Sequence, residues 1–106
     1  MANQALTEAV YYILLSLLEP MHGYGIMQNV EMLSGGRVRL AAGTLYGAIS
    51  NMLDKGWIYA LPEERDSRGK REYKITAEGR EVLKGEILRL TELLQNGAKI
   101  LEEERK

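Results

Sequence analysis

Residues 42–76, AGTLYGAISNMLDKGWIYALPEERDSRGKREYKIT, decide how the rest of this chain is read. Leu45, Ala48, Ile49, Met52 and Leu53 recur at the i, i+3, i+4, i+7, i+8 spacing of an amphipathic helix, predicted over about 42–55, and Gly56 is placed to end it. The opposite face carries Gly43, Thr44, Tyr46, Gly47, Ser50, Asn51 and Asp54. Apart from Tyr46 it is small and polar, so it can approach another surface closely. Trp57 to Leu61 is rich in aromatic and β-branched residues and reads as a strand that stops near Pro62, and Arg71 to Ile75 alternates as its return partner. The polar stretch Glu63 to Lys70 between them is a hairpin tip. A β-ribbon with a basic tip, set directly behind a helix, has the form of a wing.

Towards the amino end, Leu6, Val10, Ile13, Leu14, Leu17 and Leu18 recur at spacings of three and four. They predict a helix over about 3–19, capped by Asn3 and ended by Glu19 before Pro20. Tyr11, Tyr12 and Leu15 lie off that stripe, so this helix has a second apolar flank to cover. A shorter helix follows over roughly 24–33, with Tyr24, Met27, Val30 and Leu33 inward, and Ser34-Gly35-Gly36 ends it. Arg37-Val38-Arg39-Leu40 alternates as a brief strand would.

Towards the carboxyl end, Thr76 caps a last helix of about 28 residues, roughly 42 Å long. Its apolar residues Leu83, Ile87, Leu90, Leu94 and Leu101 keep heptad spacing, and Gly97 occupies the seam position between them. One helix cannot bury such a stripe beyond its own domain, and the commonest partner is a second copy of the same chain. Tyr11 and Leu15 are expected to join Leu83, Ile87, Leu90, Leu94 and Leu101 in that interface. The expected architecture is mainly α with a β-hairpin: a winged helix-turn-helix over 1–76 and a dimerisation helix over 77–106, together one structural unit.

A chain of 106 residues has room for one core. It has no cysteine and one histidine, which leaves neither a disulfide framework nor a metal cluster, so no metal or cofactor is expected. His22, between a Pro-containing turn and a helix start, reads as a structural hydrogen-bonding group. Glu63, Glu64 and Asp66 sit on a solvated tip that cannot hold a general acid in a dry site, so no catalytic residue is assigned and no enzyme is expected. The amino terminus does not read as a secretory leader, and the longest apolar stretch, Ala9 to Leu18, is too short to span a bilayer. A soluble cytoplasmic protein without a membrane partner is the expectation.

Net charge is −1, but it is unevenly spread. Residues 1–36 carry three acids and no base, 37–74 eight bases against five acids, and 75–106 six bases against seven acids. The positive charge concentrates where the helix and hairpin of the opening stretch lie, a localised electrostatic footprint for a polyanion. In a helix-turn-helix the reading helix enters the major groove of double-stranded DNA. Thr44 and Tyr46, near its amino end, can donate hydroxyls to phosphate. Gly43 and Gly47 permit close approach, and Ser50 and Asn51 share the exposed side, where an asparagine can pair with an adenine edge. Arg68, Lys70 and Arg71 place cations on the wing. A dimer seam that includes the flank of the first helix can also enclose a flat apolar molecule, so a small aromatic effector is a further possible partner, with its contact residues unassigned. Two other readings stay open. One is a winged-helix protein-interaction module without DNA binding, consistent with an isoelectric point near 5.9; the other is a sensor whose main activity is binding small molecules or drugs.

Four motifs occur in order: Met21-His22-Gly23-Tyr24-Gly25-Ile26, Gly43-Thr44-Leu45-Tyr46, Leu53-x-x-Gly56-Trp57-Ile58 and Arg71-x-Tyr73-x-Ile75-Thr76-x-x-Gly79. Across nearly the whole chain this resembles the PadR family of transcriptional regulators, specifically its short subfamily with a single carboxy-terminal dimerisation helix. The resemblance implies a winged helix-turn-helix dimer, usually a repressor, in which the first and last helices pair the subunits. Some members respond to phenolic compounds or cationic drugs. The family's reading-helix positions map onto Gly43, Thr44 and Tyr46, and its basic wing onto the wing here. Position 47 is Gly where the family often has Pro, and the last helix has no Trp of the kind that part of the family uses to sandwich drugs.

Overall fold

In a computed structural model that describes residues 5–63 and 70–104, the chain runs α1 (Glu8–Ser16), β1 (Met21–His22), α2 (Gly23–Leu33), α3 (Ala42–Asp54), β2 (Ile58–Ala60), β3 (Glu72–Ile75) and α4 (Ala77–Glu104). The strands form one antiparallel sheet in the order β1-β3-β2. β3 pairs Met21 with Tyr73 on one side and Ile58 with Ile75 on the other. Ile13, Leu14 and Leu17 from the first segment, Ile26 and Val30 from α2, and Leu45, Ile49 and Met52 from α3 meet Ile58, Ile75 and Leu83 in a single core. Burying each such side chain is worth about 1.5–3 kcal/mol, so this cluster fixes how the helices and sheet sit together.

The α3 stripe packs as its spacing demands, with Leu45, Ile49 and Met52 buried, whereas Leu53 is exposed. The helix ends in a Schellman turn: Gly56, at φ 76°, donates to Leu53 O at 3.1 Å and Trp57 donates to Met52 O at 3.0 Å. That turn feeds directly into β2. Thr76 caps α4, its Oγ1 accepting from Gly79 N at 3.0 Å while donating to Gly56 O at 2.7 Å. A Cβ added at Gly79 would run into the Trp57 carbonyl, so glycine lets the first turn of α4 lie against the strand entrance.

Several expectations are corrected. α1 begins at Glu8, where Thr7 Oγ1 accepts from Val10 N at 3.1 Å, and it stops at Ser16, so the helix is shorter than 3–19. Asn3 lies outside the described residues. α2 turns Gly23, Ile26 and Val30 inward, while Tyr24 and Leu33 are exposed. Residues 37–40 form no strand. The free edge of β3 is occupied by Met21–His22, and the Val38 amide is satisfied locally by Ser34 Oγ at 2.9 Å. The Arg-Val-Arg-Leu alternation instead records one-sided burial, with Val38 and Leu40 packed on the core.

α4 divides at Glu86. Gly79, Leu83 and Glu86 are buried, whereas no residue from 87 to 104 is. The projecting part makes the molecule 64 Å long and only 32 × 20 Å across. Glu86 itself, 2% exposed, was not anticipated. Its carboxylate accepts from Arg89 Nε and Nη2 at 2.7 and 2.8 Å and from the Leu6 amide at 3.0 Å. Hydrogen bonding from Arg89 holds the Glu86 carboxyl below the ordinary carboxylate range; burial opposes this, and the Leu6 amide adds to the lowering. Among the described residues, no helix is long and apolar enough to cross a membrane.

Candidate nucleic-acid interface

Because the core claims one face of α3, the other is left outside. Gly43, Thr44, Tyr46, Gly47, Ser50 and Asn51 are all exposed, so the structure brings the predicted reading residues together on one surface. A Cβ built on Gly43 or Gly47 meets nothing within 4 Å. The chain's own packing therefore does not require either glycine, although each costs about 1 kcal/mol relative to alanine inside a helix. Tyr46 has a second task. It is 50% exposed, and its ring end lies over Gly23, where any side chain would collide with it. Tyr46 thus also packs α3 against the first turn of α2.

The β2–β3 ribbon follows α3 directly through the Gly56 turn. Lys70 and Arg71 at its described end are exposed; Arg68 lies outside the described residues. Arg71 Nη2 stands 3.3 Å from Glu63 Oε1 across the ribbon, with both side chains about half exposed. Other bases in the positive middle third also face acids. Arg37 pairs with Glu8 at 2.6 Å, and hydrogen bonding to Glu8 raises its pKa further above its already high ordinary value. Arg39 stands 3.9 Å from Glu31. The basic footprint is therefore smaller than a residue count indicates, and it centres on the ribbon. Lys55, missed in the sequence, places its ammonium 4.7 Å from the centre of the Trp57 ring at the ribbon's foot. Its signal was the i, i+2 pairing of a cation and an aromatic across the Gly56 turn.

His22 is the amino cap of α2, its Nδ1 accepting from Gly25 N at 3.3 Å. No group of three potential metal ligands occurs among the described residues.

The residues proposed for a subunit seam fall into two sets. Leu83 is 5% exposed in the core of its own chain, and Tyr11 and Leu15 are half-buried against that core. Ile87, Leu90, Leu94 and Leu101, at 44, 40, 71 and 66% exposure, line the projecting part of α4. Leu93 and Ile100 widen this exposed arc at 53 and 63%. It is a large apolar surface to leave bare.

A family model described as the transcriptional regulator PadR-like family matches residues 13–85. Among solved structures, a PadR family transcriptional regulator from Eggerthella lenta is 26% identical with a TM-score of 0.72, over 88% of this chain and 80% of that one. A PadR family regulator from Clostridium difficile is 24% identical with a TM-score of 0.68, over 87% of this chain and 97% of the other. BpsR of Bordetella bronchiseptica, whose DNA binding is regulated by 6-hydroxynicotinic acid, is 16% identical with a TM-score of 0.66, over 86% of this chain and 64% of that one. The latter two likenesses are of fold alone. A comparison with curated proteins gives no match.

Proposed function

The chain belongs to the PadR-like family of transcriptional regulators, and from that premise we propose a cytoplasmic homodimer that grips operator DNA with α3 in the major groove and the β2–β3 wing beside it. DNA-binding transcription regulation is the family's activity; the residues, the dimer and the sign of regulation are the proposal. The observation that carries it is the bare face of α3, which holds two helical glycines unused by the chain's own packing, on the helix that leads directly into the ribbon bearing Lys70 and Arg71. Thr44 and Tyr46 are assigned to phosphate, Ser50 and Asn51 to base edges, and Lys70, Arg71 and Arg68 to the flanking backbone or minor groove.

α4 acts as the dimerisation helix, with Ile87, Leu90, Leu94 and Leu101 packing on a second copy and Tyr11 and Leu15 of α1 extending the seam. A dimer clamped across two major grooves excludes other proteins from the same DNA, which favours repression. Tyr11 and Tyr12 stand edge to face with ring centres 5.8 Å apart, and a seam that includes them offers an aromatic wall for a small aromatic effector. Such a ligand releases DNA if it prefers a dimer geometry that the operator does not.

Retrieving genomic fragments with the purified protein and sequencing them tests the function directly. One recurrent, two-fold symmetric site is the expected result, and retention of no DNA at moderate salt would refute the reading.

A further inference from the structure

Glu86 is a buried carboxylate and the last buried residue along α4 among the described residues. Residues 87–104 beyond it rise about 27 Å with no buried side chain of their own. A helix held only at its base is a lever: a tilt of about 10° at Glu86 moves the far end by about 5 Å, more than the ~3.4 Å step between base pairs. Direction at this pivot therefore controls anything built on the projecting part.

Three hydrogen bonds converge on Glu86. Arg89 contributes two from the next turn of α4, and the third comes from the Leu6 amide, eighty positions away in sequence and just ahead of the α1 cap. The carboxylate thereby ties the entry of α1 to the exit of α4, the two helices assigned to the subunit seam. An apolar side chain of similar volume would fill the same space, and exchanging a buried ion pair for hydrophobic residues is often neutral or stabilising. What a hydrophobe cannot supply is direction, because its contacts slide, whereas the directional bond from the Leu6 amide meets a carboxylate that Arg89, on the same helix, holds in one orientation.

We infer that Glu86, with Arg89, is a positioning residue that sets the direction in which α4 leaves the body, and through it the separation of the two α3 helices on DNA. This rests on the dimeric DNA-binding reading for its consequence, but the direction of α4 can be tested without DNA.

The test compares the native clasp with Glu86→Met/Arg89→Met. The chain has no cysteine, so Gln28→Cys and Ala98→Cys, both exposed, accept spin labels cleanly on α2 and on the projecting part of α4. Labelled chains diluted into unlabelled protein report the distance within one chain. With the clasp intact a single narrow distribution is expected; the double variant should melt no lower yet give a broadened or displaced distribution. It should also bind an isolated half-site as before while losing about tenfold affinity at the best operator spacing and tolerating neighbouring spacings better. An unchanged distance distribution in the double variant overturns the inference, as does an unchanged spacing profile. Should that variant not fold, Leu6→Pro, which deletes the amide donor and leaves the Glu86–Arg89 pair in place, is read in the same way. If the unaltered protein shows no preference among spacings, the DNA-binding dimer fails instead, and the distance measurement still decides the clasp.

Discussion

α3 and α4 each leave one face bare, and the two faces have opposite chemistry. α3 is anchored along its length by Leu45, Ile49 and Met52, and shows solvent a surface of glycines, hydroxyls and an amide. α4 is anchored only as far as Glu86, and beyond it shows leucines and isoleucines. A polar, small-residue face held rigidly on a core suits a partner whose surface is itself polar and fixed in shape, such as a nucleic-acid groove. An apolar arc on an overhanging helix suits a partner that can wrap it, such as the same helix from another copy. The difference teaches that this one small core holds apart the two faces proposed for DNA and for a second copy, each readable from what the core does not claim.

Breaking the apolar face should have the largest effect. Leu90→Glu with Leu94→Glu is expected to give monomers by sedimentation while the body keeps its fold, and to weaken operator binding about 100-fold because the two half-sites are no longer linked. Dimers that survive both changes would place the seam elsewhere.

The next effect is at the polar face's flank. Lys70→Ala with Arg71→Ala, present in both subunits, should reduce affinity for every DNA sequence about tenfold and lower the salt slope by about two to four. Because Glu63 already engages Arg71, Lys70 should account for the greater part, a split that the single variants measure. A slope identical to that of the unaltered protein removes the ribbon from the interface.

How much of this was legible beforehand follows from how local each signal is. The α3 stripe apart from Leu53, the Gly56 stop, the ribbon and the Thr76 cap are encoded within a few residues of one another, and appear where their spacing puts them. β1 was hidden because the two residues between Pro20 and α2, the second of them the helix cap, show no alternation; only β3, about fifty positions later, makes Met21–His22 a strand. α2 was misphased because Tyr24, Met27, Met32 and Leu33 surround Ile26 and Val30 with apolar alternatives, leaving tertiary packing to choose the inner face. At the site, the α3 face was legible because its residues are the ones a core cannot use. The Glu86 clasp was not, since a Glu, x, x, Arg spacing usually marks a solvated helix pair. The available signal was its place on the face shared by Gly79 and Leu83.

A smaller change sharpens the contrast by acting with opposite signs. Gly47→Ala should raise stability by up to about 1 kcal/mol, since the new methyl group meets nothing in its own chain. It should nevertheless weaken operator binding, because the space it fills is assigned to DNA. Stabilisation without loss of affinity would show that the glycine faces solvent only.

The smallest effect is at the α4 pivot. Glu86 has its pKa lowered in the folded state, so its contribution to stability is present above the ordinary carboxyl range near ~4.3 and is lost as pH falls through the folded value. Melting curves of the unaltered protein and Glu86→Gln should therefore converge on acidification. A constant gap from neutral to acid pH would mean that the carboxylate's charge gives the fold no net stabilisation.

The central claim is that two copies joined through α4 hold two α3 faces at the pitch of a double helix, and methylation interference at guanine N7 of a retrieved operator tests it most directly. Modification of this major-groove atom should block binding in two symmetric clusters about ten base pairs apart. A single cluster, or interference with no symmetry, would contradict the account.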